Sequence, residues 1–128
     1  MRGLPLFAMF NPKVTRLDDS TATVSEACLS VPDAIGRVTR SALVRVDFLD
    51  ESARPRQAEF RGFWSCVVQH ENDHLDGVLF TDKLDVDARG QPCLWSLDEY
   101  HSNDLLGVFR NAESWCRWRN KLYRMTAD

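Results

Sequence analysis

The sequence predicts an α+β fold, with short antiparallel strands wrapped around a helix near the middle of the chain and a second helix towards the C-terminus. Three observations predict it. In "ALVRVDFLD", Leu43 is followed by Val44, Val46 and Phe48, with Arg45 and Asp47 between them, which is the alternation of a half-buried strand. In "FWSCVVQHENDHL", residues 63–75, the period changes to a helical one and neither Gly nor Pro interrupts it. Beyond Ser102-Asn103-Asp104, which can cap a helix, Leu105, Phe109, Ala112, Cys116 and Leu122 recur at intervals compatible with one face.

The elements follow in chain order. Residues 6–10 read as a strand that ends at Asn11-Pro12. This opening is not read as a targeting segment, because Pro5 breaks its apolar run and no small-residue cleavage site follows. "TATVSEACLSVPD" alternates weakly and is expected to stop at Pro32-Asp33. The strand through Leu43 is followed by "DESARPR", a turn, and "QAEFRG", a returning strand, so the pair forms a hairpin. The helix over 63–75 stops at Gly77. "VLFTDKL" reads as a short strand or extended segment and "DVDARGQP" as a loop. A C-terminal helix is expected from about Asn103. With no internal repeat and no long linker, we expect one domain over residues 1–128.

Composition narrows the classes of function. The chain has 128 residues, 44% hydrophobic and 27% charged, with net charge −3. It is long enough for a real core, and no whole-molecule field draws it to DNA or anionic lipid. No apolar run approaches the roughly 20 residues that span a bilayer, so no membrane partner is expected. Cys28, Cys66, Cys93 and Cys116 form no CxxC pair, which favours a reducing compartment with any special cysteine acting as ligand or nucleophile.

The chemistry concentrates in "QHENDH", Gln69 to His74. Residues four apart share a helix face, so His70 and His74 can reach one metal ion. Glu71 lies one step round, where it can take a proton from a metal-bound water instead of ligating. Two histidines and a glutamate are costly on a helix that also carries Phe63, Trp64, Val67 and Val68 unless something satisfies them. A catalytic site of this kind needs a third protein ligand. Cys66 shares the face of His70, but about 12 Å of helix axis separates it from His74, so Cys66 reads as core. Position 80 is Phe80, not the histidine of the extended metalloprotease pattern. Glu99, in what reads as a turn, and Cys28, in "EACLS", remain as candidates.

"EACLS" at Glu26 to Ser30, followed by "QHENDHLDGVLFTDKL" at Gln69 to Leu84, resembles the peptide deformylase family, whose second and third motifs are EGCLS and QHExDH. The resemblance covers residues 1–85 and leaves 86–128 divergent. It implies hydrolytic removal of the formyl group from formyl-methionine at the start of nascent polypeptides. It implies Cys28, His70 and His74 as metal ligands, Glu71 as general base and acid, and the backbone N–H of Leu29 as an oxyanion donor. The cofactor it implies is one divalent ion, usually Fe(II), which zinc or another ion can replace. It places the protein in the bacterial cytoplasm or in a mitochondrion or plastid. Asp73 is a candidate to hold a ligand histidine or an arginine in place. Arg40 matches an arginine that the family often has after its second motif.

The sequence departs from the family in three places. Ala27 stands where the motif has glycine, and its methyl group can crowd the substrate path. The family's GxGLAAxQ segment, whose glutamine helps bind the oxyanion, is not found around Gln57, Gln69 or Gln91, so we expect a chain shortened at its start. The alternative to an active hydrolase is therefore an impaired relative that keeps its metal site as a binding or structural module. The third departure is the tail, with Trp95, Trp115 and Trp118 as core candidates and a basic stretch from Arg110 to Arg124 that could meet ribosomal RNA.

Overall fold

The computed structural model describes residues 5–103, with side chains through Tyr100. Strands β1 (Phe10–Arg16), β2 (Thr21–Cys28), β3 (Val31–Ser41), β4 (Leu43–Leu49) and β5 (Pro55–Arg61) precede helix α1 (Phe63–Leu75). A single 3₁₀ turn (Phe80–Asp82), β6 (Leu94–Ser96) and α2 (Leu97–Asn103) follow. The strands form two three-stranded antiparallel sheets, ordered β1-β4-β5 and β2-β3-β6, so the architecture is α+β.

The β4–β5 hairpin forms where alternation places it, with Val44, Val46 and Phe60 buried in one cluster. Trp64 and Val68 of α1 pack on that cluster, together with Met9, Val14, Phe48 and Ala58. Helix α1 also touches β2 and β3 of the other sheet, and so bridges the two. Its start follows Gly62 at φ 56°, and Gly77 at φ 71° turns the chain away after its end. Both angles lie in the region that glycine adopts without a side-chain clash.

Several expectations are corrected. Residues 6–9 form no strand; the first strand, β1, begins at Phe10 and runs through Asn11-Pro12 rather than ending there. Its pairing with β4 shifts between Phe10 and Lys13, with Asn11 at φ 51°. Such a bulge on an edge strand leaves the proline nitrogen no ladder bond to make. The strand expected to stop at Pro32-Asp33 ends at Cys28, and β3 begins at Val31 and contains both residues. "VLFTDKL" is a 3₁₀ turn at Phe80–Asp82, held by the Asp82 carboxylate accepting from the Leu79 N–H. The surroundings of Glu99 form α2, not a turn. Glu99 accepts from the N–H and Oγ of Ser96, and the Glu99 N–H donates to Ser96 Oγ, which is a capping box spelled "SLDE". The helix expected from about Asn103, its basic face and Trp115 and Trp118 lie outside the described residues. Trp95 packs in the cluster of Ile35 and Tyr100.

Gly36 is the tightest point in β3. A Cβ there would stand 2.3 Å from Leu84 Cδ2, 3.0 Å from Phe80 Cε2 and 3.2 Å from the Cys93 carbonyl oxygen. Gly36→Ala is expected to lower stability by about 1–3 kcal/mol, the usual cost of overpacking. A denaturant midpoint equal to that of the parent would show that the Phe80–Leu84 segment moves aside freely.

Candidate metal centre

Cys28 and Glu26 lie near the end of β2, two residues apart, and both reach α1. Cys28 Sγ is 3.5 Å from His74 Nε2, and Glu26 Oε2 is 2.9 Å from His70 Nδ1. His70 and His74 sit one turn apart with their rings at 88° and centroids 4.8 Å apart. One donor atom from each of Cys28, His70 and His74 falls within 4.8 Å of the others. Two ligands of a tetrahedral ion, one sulfur at about 2.3 Å and one nitrogen at about 2.0 Å, stand about 3.5 Å apart. The Cys28–His74 separation meets that figure, so this donor set fits a divalent metal.

The neighbours of these groups prepare them for that use. Glu26 holds His70 by Nδ1, which leaves Nε2 as the ring's other donor atom. That carboxylate raises the His70 pKa above its ordinary value by more than burial lowers it. Burial pushes the Cys28 thiol up, but the Ser30 backbone N–H and the His70 ring outweigh it, and the thiol sits below its ordinary value. A thiol lowered in this way supplies the thiolate that metals require. Burial likewise raises Glu26, but hydrogen bonds from His70 and Arg40 bring it below the usual carboxylate value.

Behind the cluster lies a chain of charge that is buried at Arg40 and Glu26 and reaches the surface at Lys83. Arg40 on β3 is only 5% exposed. It grips both oxygens of Glu26 and donates to Asp73 Oδ2 at 2.8 Å. Lys83 donates to Asp73 Oδ1 at 3.2 Å. Burial would lower the Arg40 pKa, but its two carboxylate partners raise it, so it stays charged. Two acids are thus matched by two bases, the condition under which buried charge is tolerated. Glu26 was legible only as a motif residue; its part as the partner of both His70 and Arg40 is a tertiary fact.

The other sequence candidates fall into place around this centre. Glu71 is exposed, and its charge helps raise the His70 pKa. Leu29, 87% exposed, occupies the turn between β2 and β3 next to Cys28. Cys66 is buried, and burial raises its thiol pKa, as suits a core residue. Glu99 is engaged in the α2 cap and is absent from the cluster. Gln69 donates to the carbonyls of Ser41 and Ser65, which ties α1 to the end of β3. Among the described residues, no helix is long and apolar enough to cross a membrane.

The similarity to known proteins covers this same region. Residues 3–89 match the model of the polypeptide deformylase family. The peptide deformylase of Synechocystis is 42% identical over 81 residues, which is 63% of this chain and 43% of the relative. That of Treponema pallidum is 39% identical over 82 residues, 64% of this chain and 51% of the relative. Among solved structures, a peptide deformylase from Synechococcus elongatus in complex with actinonin superimposes with a TM-score of 0.60 at 36% identity. The match covers 64% of this chain and 45% of that one. A class I type b peptide deformylase from Acinetobacter baumannii gives 0.57 at 40% identity, covering 59% and 51%. The chain spans about half the length of the curated relatives it matches. With the motif strand, the motif helix and the sequence match all falling within residues 3–89, the chain belongs to the polypeptide deformylase family.

Proposed function

We propose that this chain hydrolyses the N-formyl group of formyl-methionine on newly made polypeptides, using one divalent ion held by Cys28, His70 and His74. The observation that carries the proposal is the approach of Cys28 Sγ, from a strand 46 residues away, to His74 Nε2. We take Fe(II) as the ion, as the family resemblance implies, and zinc as its substitute, since a thiolate with two imidazoles suits both. Bound there, the ion supplies Lewis acidity, lowering the pKa of a water and polarising the formyl carbonyl.

The chain's own residues carry the proton and fix the geometry. Glu71 accepts a proton as the water oxygen bonds to the formyl carbon. It returns that proton to the nitrogen as the C–N bond breaks, leaving formate and a free amine. The Leu29 N–H donates to the oxygen on which charge develops. Glu26 and Arg40 hold His70 in register, and Asp73 anchors Arg40. Incubation of the chain, purified anaerobically with Fe(II), with a formyl-Met peptide should release formate. Cys28→Ser should lower bound metal well below one ion per chain, while Glu99→Gln leaves it unchanged. Equal metal content in the two variants would remove Cys28 from the ligand set.

A second reading keeps the metal site without turnover. It is favoured by the state of the glutamines. Gln69 is committed to the Ser41 and Ser65 carbonyls, and Gln57 to Asp47. Gln91 lies in the loop before β6, where its N–H donates to Asp87. Where no glutamine side chain serves as an oxyanion donor, the rate falls by on the order of 10²–10³. Metal bound at one per chain with no formate released would select this reading.

Metal affinity should also depend on pH in a defined direction. The His70 pKa is raised, so protons compete for the ring from a higher pH than for an ordinary histidine, and metal binding must displace them. Affinity for Co(II), measured by titration, should fall as pH drops through that raised value. In the metal-free chain the linkage has the matching sign: the stabilisation from the His70–Glu26 pair is full below the unfolded histidine value and fades as pH rises through the folded one. Co(II) affinity that stays flat through that range would contradict the first statement, and metal-free stability that does not decline as pH rises would contradict the second.

A further inference from the structure

We propose that β6 and α2 form a positioning element for the metal-binding strand, with Tyr100 as its positioning residue; this rests on the metal site proposed above. The argument begins with the two faces of β2. Glu26 and Cys28 reach α1. Ser25 and Ala27 serve the opposite side, where the Tyr100 hydroxyl donates to Ser25 Oγ at 3.3 Å and Ala27 packs on Ile35 and Tyr100. Tyr100 is only 2% exposed. Its ring lies 6.2 Å from that of Trp95, and Trp95 and Leu97 complete the cluster.

The strand is therefore clamped, with α1 in front and α2 behind. The backing is itself fixed in place. β6 pairs with β3 through Ala34–Ser96, Ile35–Trp95 and Gly36–Leu94, and β3 pairs with β2 through Glu26–Gly36. The β2–β3 register shifts between Glu26 and Cys28, so the ladder is interrupted beside the ligand cysteine. Side-chain packing from the rear then has to hold what the ladder does not. The alanine that stands where the family motif has glycine supplies a methyl group to this packing. That backing unit, residues 94–103, lies beyond the family match at residues 3–89.

The test is Co(II) binding by the full chain, read by titration and by the sulfur-to-cobalt charge-transfer band. Tyr100→Leu should weaken binding about tenfold or more, the range seen when groups behind metal ligands are removed, and alter the band. Tyr100→Phe, which keeps the ring against Ala27, should retain most of the affinity. Asp50→Ala, which removes the carboxylate that holds the β4–β5 turn through the Ser52 and Arg54 N–H groups, should lower stability yet leave Co(II) affinity and spectrum as in the parent. Coupling is reciprocal, so Co(II) should slow amide exchange in residues 94–103 of the parent chain more than in β4, a measurement that needs no variant.

A parent chain that binds Co(II), with a Tyr100→Leu form of equal affinity and spectrum, would overturn the positioning role while leaving the metal site standing. Equal losses in Tyr100→Leu and Asp50→Ala, or exchange in residues 94–103 that is indifferent to Co(II), would overturn it as well. A parent chain that binds no Co(II) would overturn the metal site itself, and the positioning role with it.

Discussion

Glu71→Gln is expected to cut formate release from a formyl-Met peptide by about 10²–10⁴-fold, the share of rate that a positioned acid–base group contributes. The substitution keeps size and hydrogen-bonding reach but removes the ability to take a proton from water. Glu71 is exposed on α1 and is not one of the three clustered donors, so the variant should hold one divalent ion as the parent does. Metal content and turnover must therefore separate. Turnover that survives the substitution would dismiss Glu71 as the base, and metal lost together with turnover would recast it as a ligand. Cys28→Ser gives the opposite pattern, with metal and turnover lost together, so the pair of variants distinguishes proton transfer from ligation.

Arg40→Leu should be the most destabilising single change near the site, at about 3–5 kcal/mol, the cost of breaking a buried ion pair from one side. Glu26 and Asp73 would each keep a negative charge in a setting with little water, since their side chains are 7% and 14% exposed. Lys83 could still serve Asp73 from the surface, but Glu26 would retain only His70. The carboxylate would then hold a proton more tightly, and the histidine would lose its fixed orientation. A denaturant midpoint should report the stability loss, and Co(II) affinity should fall with it. Combining Glu26→Gln with Arg40→Leu should recover part of the stability but not the affinity, because the orphaned charge is gone while the hold on His70 is weakened. A loss under about 1 kcal/mol, the scale of a surface pair, would show that water reaches Glu26 and that the cluster is not dry.

Much of this was readable before any coordinates. The period of residues 63–75 gave α1 and placed His70 and His74 on one face; alternation gave β4 and β5. The misses have separate causes. β3 hides its alternation because the residue it turns towards α1 at position 40 is an arginine, buried only because Glu26 and Asp73 meet it. A hydropathy pattern counts such a residue as exposed. The first strand is expected upstream of β1 because Pro12 reads as a strand end unless a bulge on an edge strand receives it. α2 carries a legible capping box in Ser96 and Glu99, but its seven residues, Leu97–Asn103, are too few for a helical period to stand out.

The sequence by itself determined what depends on neighbours along the chain: the helix, its pair of histidines, the glutamate beside them, the hairpin and the family motifs. The resemblance already implied Cys28, and the tertiary structure brings its sulfur beside the histidines and leaves Glu99 elsewhere. Only the tertiary structure decided that one buried arginine joins the strand carboxylate to the helix carboxylate, and that Tyr100 packs behind β2. The reason is physical. Periodicity follows from backbone geometry within a few residues, whereas the distance between a thiol and an imidazole 46 positions apart follows from how two sheets and a helix bury their apolar faces together. No local pattern encodes that packing.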